Sequence, residues 1–274
     1  MASLKRMRPL LGTFVEIGCE HADNAEQAVA SAFNVIEKLH HLLSFHEADS
    51  ELTRLNQANG EAVEVSEHTL RVIKLARGMT LASAGLFNCT LGGEMVRQHV
   101  LPDHGGEVAP GGCANDIQVS GNQIKLRKSV KITLDGIAKG YAVDCAITLL
   151  KRCGATAGWV NAGGDLRVYG DCVLPVHRRE YSGEYTSLGG IQNAAIATSI
   201  VTTEYDDEFP GRIMSDVTTP KIGSWSVMAH MAWRADALTK VACLAEDDTR
   251  EALIANLGGV LVMPQKLNPQ GVLQ

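Results

Sequence analysis

The spacing of apolar and polar positions predicts strands and helices in an irregular order. Residues 13–17 alternate like a half-buried strand. In residues 24–43 the apolar side chains recur at intervals of three and four, which predicts an amphipathic helix of about five turns. Residues 66–84 predict a second helix that starts near Ser66 and stops at Gly85. The chain therefore combines long helices with short strands.

Shorter patterns complete this prediction. A hairpin is predicted where two strand-like segments flank Ser120-Gly121-Asn122, and residues 102–114, rich in Gly and Pro, predict a loop. The remaining predicted strands are 130–134, 159–160, 166–169, 195–199, 224–232 and 258–263, the remaining helices are 138–153 and 235–245, and residues 178–193 form a polar stretch without an assigned element.

The strands and helices do not alternate as a doubly wound fold requires, so the predicted class is α+β, with mixed or antiparallel sheets and packed helices. We expect a single domain over residues 1–274, with two closely packed subdomains as the alternative, and a frayed tail at 265–274.

Composition excludes several classes of protein. Hydrophobic residues make up 45% and charged residues 20% of the 274 positions, as in globular proteins. The net charge of −6 without a basic run disfavours nucleic acid as a partner. No apolar run reaches the roughly 18–20 residues of a membrane span, and the run after Arg8 is too broken for a signal peptide. The seven cysteines form no C-x-x-C pair and predict reduced thiols. A cytoplasmic protein is expected.

Three segments carry candidate chemistry. Residues 132–140 predict a strand, a glycine turn and a helix, an arrangement that binds phosphate through backbone N–H groups. This turn matches neither common nucleotide-binding motif, so a purely structural turn remains open. Asn161-Ala162-Gly163-Gly164-Asp165 puts two glycines beside an amide and a carboxylate. Asp236, among apolar neighbours at a predicted helix start, needs a capping role or a cation.

These segments, with others in the same order, resemble the FAD:protein FMN transferase family. The matching segments are 8–13, 44–56, 87–90, 133–144, 161–165, 196–199 and 235–238. The resemblance implies a T-fold-like architecture with FAD in a cleft. It also implies Mg²⁺-dependent transfer of FMN from FAD, through a phosphoester bond, to a Ser or Thr of an acceptor flavoprotein, in a sequence such as S/T-G-A-T.

The resemblance also implies roles for individual residues. Flavin contacts would be Leu11, Phe45, Leu86, Phe87, Asn88, Thr133, Lys139 and Met214. Metal ligands would be the backbone oxygen of Gly136, the side chain of Asp236 and, from the same helix, Thr239. Mg²⁺ prefers such oxygen ligands. Asp236, Arg212 and Asp216 would carry the chemistry.

The chain departs from the family pattern at several of these positions. Thr133 stands for an Asp, Asp135 for a Gly, Phe45 for a Tyr, Arg212 for a His, Ser215 for an Asp and Lys240 for a hydroxyl residue. Arg212 cannot act as a base because it stays protonated, which leaves Asp216, His46 and His230 as candidates. A flavin-binding homologue without catalysis, and an FAD pyrophosphatase that releases FMN and AMP, therefore remain alternatives. Lys240 could also pair with Asp236 and weaken or replace the cation.

Overall fold

A computed structural model describes residues 3–20, 22–127, 129–180, 182–202 and 213–262. In chain order its elements are β1 (Ser3–Leu10), β2 (Thr13–Glu20), α1 (Ala25–Leu43), α2 (Glu51–Gln57), β3 (Ala62–Glu64), α3 (Glu67–Ala82), α4 (Gly92–Arg97), β4 (Ile117–Ser120), β5 (Gln123–Leu126), α5 (Ala138–Arg152), β6 (Ala157–Ala162), β7 (Asp165–Tyr169), β8 (Leu174–Arg179), β9 (Tyr185–Ile191), β10 (Ala195–Val201), β11 (Gly223–Ala229), α6 (Ala232–Leu244), α7 (Arg250–Asn256) and β12 (Gly259–Val262).

The largest sheet has seven strands in the order β1-β2-β6-β7-β10-β11-β12, and every pairing in it is antiparallel. A three-stranded sheet (β3-β5-β4) and the hairpin β8-β9 complete the strands of the described chain. Helices segregate from strands rather than alternating with them. The predicted α+β class with antiparallel sheets is confirmed.

The two faces of the large sheet carry different layers. Helices α1, α5 and α6 cover one face, where the main hydrophobic core runs from Val15 to Ile254. A smaller apolar cluster on strands β6, β7 and β10 includes Val168 and packs against the β8-β9 hairpin. Strand β7 is buried at all five positions because both of its faces are covered.

The long predicted helices form for the local reasons read from the sequence. Asn24 caps α1, since its side-chain oxygen accepts a hydrogen bond from the Gln27 N–H at 3.1 Å. Ser66 caps α3 in the same way, and Gly85 follows that helix with a φ of 86°. The predicted hairpin at 117–126 is confirmed as β4 and β5.

The strand predicted at 130–134 is wrong. This segment is extended, but its hydrogen bonds go to loops and a side chain rather than to a neighbouring strand. Asn56 bonds both the N–H and the carbonyl of Ile132, each at 2.8 Å, and the Thr133 N–H donates to the Cys89 carbonyl. Periodicity detects the buried apolar positions and cannot detect where the backbone bonds go.

Two further expectations are corrected. The polar stretch 178–193 contains most of the β8-β9 hairpin. Partly buried and exposed residues alternate along much of its two strands. The helix predicted to start at Ala235 starts at Ala232. The predicted frayed tail lies outside the described residues, and the single-domain organisation stays a prediction. None of the described helices has both the length and the apolar composition needed to cross a bilayer.

Candidate functional site

The glycine turn before α5 is built for close backbone approach. Gly136 has a φ of 85°, a conformation that side chains disfavour, and α5 begins two residues later without a side-chain cap. No N-cap side chain accepts from the start of α5, where the Ala138 N–H donates to the Leu134 carbonyl and the Gly140 N–H to Asp236, and Lys139 stands in this first turn. This arrangement suits an anion in the way the sequence predicts.

Gly140 and Asp144, one turn apart on α5, fix the start of α6. A methyl group on Gly140 would lie 2.4 Å from the Ala232 carbonyl oxygen, so only glycine permits the close crossing of the two helices. The Asp144 carboxylate accepts hydrogen bonds from the N–H groups of Ala232 and Trp233, both at 3.0 Å, and pairs with Arg167 at 2.6 Å. This cap from a distant helix is why α6 starts earlier than its own sequence predicts.

The crossing places Asp236 against α5 rather than at a helix start. Its side chain is 1% exposed, and its Oδ2 accepts a hydrogen bond from the Gly140 N–H at 3.3 Å. Its Oδ1 lies 2.5 Å from the Lys240 Nζ, which is also 3.2 Å from the Asp236 carbonyl oxygen. The predicted pairing of Lys240 with Asp236 is confirmed.

Asp165 and Lys139 extend this arrangement into a carboxylate–ammonium cluster, which we define as Asp165, Asp236, Lys139 and Lys240. Asp165 is the first residue of β7, on the same face as Arg167, and Lys139 Nζ lies 3.9 Å from its Oδ2. That Oδ2 atom is buried and has no hydrogen-bond partner among the described residues.

The groups of this cluster shift the pKa values of one another. Burial, and then the charge on Asp236, raise the pKa of Asp165 to about 7. The pKa of Lys139 is raised mainly by Asp165, because a neighbouring carboxylate favours the ammonium form. Two buried carboxylates thus lie beside two partly exposed ammonium groups, and one carboxylate oxygen still lacks a donor.

Two of the three predicted metal ligands, Asp236 and Gly136, lie together at this cluster. Gly136 lies beside Lys240, since a methyl group on the glycine would be 3.3 Å from Nζ. The Thr239 hydroxyl bonds Ser199 of β10 at 2.7 Å, and it lies 2.7 Å from the Asp236 carbonyl of its own helix, to which it donates. No group of three or more His, Cys, Asp or Glu that could hold a metal occurs within the described ranges.

A hard cation nevertheless fits the donor set. The nearby ligand atoms are carboxylate, carbonyl and hydroxyl oxygens, which suit Mg²⁺, and substrate phosphate supplies the remainder in sites of this type. The buried Asp165 Oδ2 atom, without a hydrogen-bond donor, provides a further oxygen and a reason for positive charge to be favourable there.

Two of the predicted flavin contacts, Asn88 and Thr133, form a second group before Gly136, since the Thr133 N–H donates to the carbonyl of Cys89, the residue after Asn88. Asn88 donates to both carboxylate oxygens of Asp216 at 3.3 Å, which joins a predicted flavin contact to a predicted catalytic residue. Thr133 is buried, bonds the loop that follows Asn88, and accepts the Asp135 N–H on its hydroxyl at 3.2 Å. Only two residues lie between Thr133 and Gly136, so the two groups are continuous.

The apolar candidates have different degrees of burial. Phe45 and Phe87 are buried in the main core, whereas Leu11, Leu86 and Met214 are half-buried and pack against it. Leu11 occupies the turn between β1 and β2, and this turn is next to the Gly163 turn, where Thr13 packs against the glycine.

The candidate bases are distributed unevenly. Asp216 is exposed beside Asn88, and Ser215 caps the turn that carries it by accepting the N–H groups of Val217 and Thr218. His46 and His230 are exposed. Arg212 lies outside the described residues, so its catalytic role stays a prediction.

Asp165 is a site residue to which the sequence pattern gives no role. It stood in the double-glycine segment, directly before an apolar strand, and that position already marked a carboxylate at a strand end beside a turn. Only the packing of β7 against α5 shows which residues it faces.

Comparison with known proteins identifies the family. A model described as the ApbE family matches residues 11–263. A FAD:protein FMN transferase of Vibrio cholerae is 29% identical over 149 residues, or 50% of this chain and 44% of the relative, so this match spans less than half of that relative. A FAD:protein FMN transferase of Klebsiella pneumoniae is 22% identical over 220 residues, covering 72% of this chain and 67% of the relative.

The fold agrees with a solved structure. The crystal structure of the ApbE protein from Thermotoga maritima matches 100% of this chain and 96% of its own, with a TM-score of 0.80 at 22% identity. The family model matches nearly the whole length of the chain, and the chain therefore belongs to the ApbE family.

Proposed function

We propose that this protein transfers FMN from FAD, in a Mg²⁺-dependent reaction, to a Ser or Thr hydroxyl of an acceptor flavoprotein. The observation that carries the proposal is the meeting of Gly136, Asp236 and the first turn of α5 in one place. This place joins an anion-binding helix start to a buried carboxylate, the two elements that phosphoryl transfer between diphosphate and hydroxyl requires.

FAD would lie between the two groups of residues. Lys139 and the N-terminal end of α5 would face the pyrophosphate, where the positive charge of Lys139 and the helix dipole would stabilise it. Thr133 and Asn88 would supply polar contacts, and the flavin rings would contact the apolar candidates Leu11, Phe45, Leu86, Phe87 and Met214.

Gly136, Asp236 and Thr239 would hold the magnesium ion, with Thr239 turning its hydroxyl away from Ser199 to do so. Bound there, Mg²⁺ supplies neutralisation of the charge on the transferring phosphoryl group. Asp144 contributes by fixing the start of α6, and so the position of the Asp236 carboxylate relative to α5.

Asp216 is the proposed base. Its exposed carboxylate is oriented by the Asn88 amide, and an Oδ atom would accept the proton of the attacking hydroxyl. Arg212 would add positive charge near the phosphate, because a guanidinium cannot accept a proton.

A transfer assay tests the proposal. The purified protein is incubated with FAD, Mg²⁺ and a peptide containing S/T-G-A-T, and covalent FMN on the peptide is detected by mass and by flavin fluorescence. We expect a mass increase equal to one FMN and the release of AMP. Bound flavin without transfer would instead support a non-catalytic flavin-binding protein, and free FMN with AMP would support a pyrophosphatase. Absence of FAD binding would exclude both enzymatic functions.

A matched pair of variants locates the chemistry. Asp236→Asn keeps the size of a 1% exposed side chain and removes its charge, and we expect transfer to fall by about a hundredfold or more. Asp248→Asn makes the same change at an exposed position after α6, where transfer should stay unchanged. Equal rates for the two variants would contradict the role of Asp236.

We also propose that the protein acts in the cytoplasm. All seven cysteines are free thiols in the structure, and this supports a reducing compartment. Fractionation of cells that produce the native protein tests this location.

A further inference from the structure

The Lys240 side chain lies against two of the proposed metal ligands, Asp236 and Gly136. Its ammonium lies 2.5 Å from the Asp236 Oδ1 and 3.2 Å from the Asp236 carbonyl oxygen. Its side chain also passes over the glycine turn, because a methyl group on Gly136 would lie only 2.6 Å from its Cε and 3.3 Å from its Nζ. One ammonium group therefore occupies the space where two of the three proposed ligands meet.

An ordinary helix ion pair does not account for this position. Pairs of oppositely charged residues four apart are common on exposed helix faces, where they contribute little. Asp236, however, is 1% exposed, and the Lys240 side chain is 22% exposed. The pair thus neutralises a buried carboxylate, and a buried carboxylate left without a counter-charge is costly.

A divalent cation and this ammonium cannot share the site without a large repulsion. The carboxylate–ammonium cluster already balances two carboxylates with two ammonium groups. Adding a divalent charge beside Lys240 in a poorly hydrated place would leave like charges in contact. Asp165 Oδ2, which lacks a hydrogen-bond donor and lies within the electrostatic reach of Lys240, offers the displaced ammonium another carboxylate.

We propose that Lys240 is an internal competitor for the divalent cation. Its ammonium neutralises Asp236 in the metal-free protein, and the cation binds at Asp236 only when that ammonium moves away. The proposal rests on the proposed function, since it concerns the metal of the same site. It deepens that function because FAD phosphates bring the negative charge that favours the exchange. Metal binding is therefore coupled to FAD binding, and the cation binds more weakly at Asp236 when FAD is absent.

Binding of Mn²⁺ measured without FAD tests the competition. Protein freed of metal with EDTA is titrated with Mn²⁺, and the free ion is followed by electron paramagnetic resonance. Lys240→Met removes the ammonium and keeps an apolar stem, so we expect it to bind Mn²⁺ at least about tenfold more tightly than the unchanged protein, a difference of about 1.4 kcal/mol. Lys240→Gln removes the ammonium but keeps a polar side chain, and it should show the same gain in Mn²⁺ affinity.

Lys221→Met is the matched control. Lys221 also pairs with carboxylates, Glu246 and Asp247, but it does so at the other end of α6. The affinity of the Lys221→Met variant for Mn²⁺ should equal that of the unchanged protein. An equal or weaker affinity in the Lys240 variants, or an equal gain in Lys221→Met, would overturn the proposal.

A second measurement uses the unchanged sequence. In protein labelled with ¹³C at lysine Cε, the Lys240 resonance is assigned by its absence from Lys240→Gln. This resonance should shift when Mg²⁺ fills the site. An unmoved Lys240 resonance at saturating Mg²⁺ would also overturn the proposal. Neither measurement contains FAD or an acceptor. Failure of FMN transfer with a confirmed metal competition would therefore contradict only the proposed function, and the reverse result only this inference.

Discussion

At the scale of single residues, the clearest departure from relaxed geometry is Leu11. Its φ of 58° and that of Gly12, 68°, form the tight turn between β1 and β2. Left-handed backbone costs a leucine roughly 1–2 kcal/mol, and a turn of this kind normally carries Asn followed by Gly. Strain of this sort persists where the surrounding structure or function requires it. A flavin contact at Leu11 would be such a requirement.

This strain predicts an unequal response to the same substitution at two neighbouring positions. Leu10→Asn and Leu11→Asn each remove a half-buried leucine. Only Leu11→Asn also relieves left-handed strain, so we expect it to cost at least about 1 kcal/mol less in the free energy of unfolding. Urea denaturation measures both. FAD affinity, measured by quenching of flavin fluorescence, should still fall in Leu11→Asn. Equal losses of stability would mean that Leu11 is not strained.

At the scale of elements, the crossing of α5 and α6 determines the site. The helices touch through Gly140, and Asp144 caps α6 from one turn further along α5. Both residues lie on one face of α5. This face therefore packs against α6 through Gly140 and also sets the start of α6 through Asp144. Asp236 then reaches the α5 backbone.

Two helical glycines predict opposite effects of one added methyl group. Gly140→Ala places a carbon 2.4 Å from the Ala232 carbonyl oxygen, and pushing the helices apart should cost about 1–3 kcal/mol. Gly78→Ala, in α3, meets nothing within 4 Å and should be neutral or stabilise by up to about 1 kcal/mol. Thermal unfolding compares the two. A Gly140→Ala protein as stable as Gly78→Ala would show that the crossing is not close-packed.

The sequence predicts the elements that depend on local signals and misses the features that depend on contacts between distant segments. Helices α1 and α3 and the β4-β5 hairpin follow from local periodicity, caps and turn residues, and they were predicted. The start of α6 depends on Asp144, which comes from another helix, and the extended segment 130–134 depends on Asn56. Asp165 was visible as a carboxylate beside a glycine turn, yet its neighbours are set by packing. Interactions between distant segments leave no local period in the sequence.

At the scale of the whole molecule, the carboxylate–ammonium cluster makes stability depend on pH. The pKa of Asp165 is raised to about 7 in the folded protein, mainly by burial, whereas an unfolded Asp titrates near its ordinary value. Between these two values the folded state holds a proton that the unfolded state has lost. The contribution of Asp165 to stability therefore falls as the pH rises through this interval.

Asp165→Asn should remove this dependence. In buffer with EDTA, we expect the variant and the unchanged protein to be similarly stable at pH 5. At pH 8 the variant should be more stable by about 2 kcal/mol, because only the unchanged protein must then bury the charge. Chemical denaturation at both pH values measures the difference. Asp248→Asn, at an exposed position, should show no such change between the two pH values. A constant difference for Asp165→Asn would mean that its carboxyl titrates normally.

The strand order of the large sheet also constrains the way the chain reaches its structure. The first hairpin made, β1-β2, does not pair with the next strands in sequence, since Val15 lies opposite Ala162 in β6. During synthesis from the N-terminus, the edge of β2 that pairs with β6 stays unpaired until β6 has emerged. High contact order of this kind slows folding. The nascent hairpin consequently carries an unpaired strand edge while the rest of the chain is made, and a chaperone can protect such an edge.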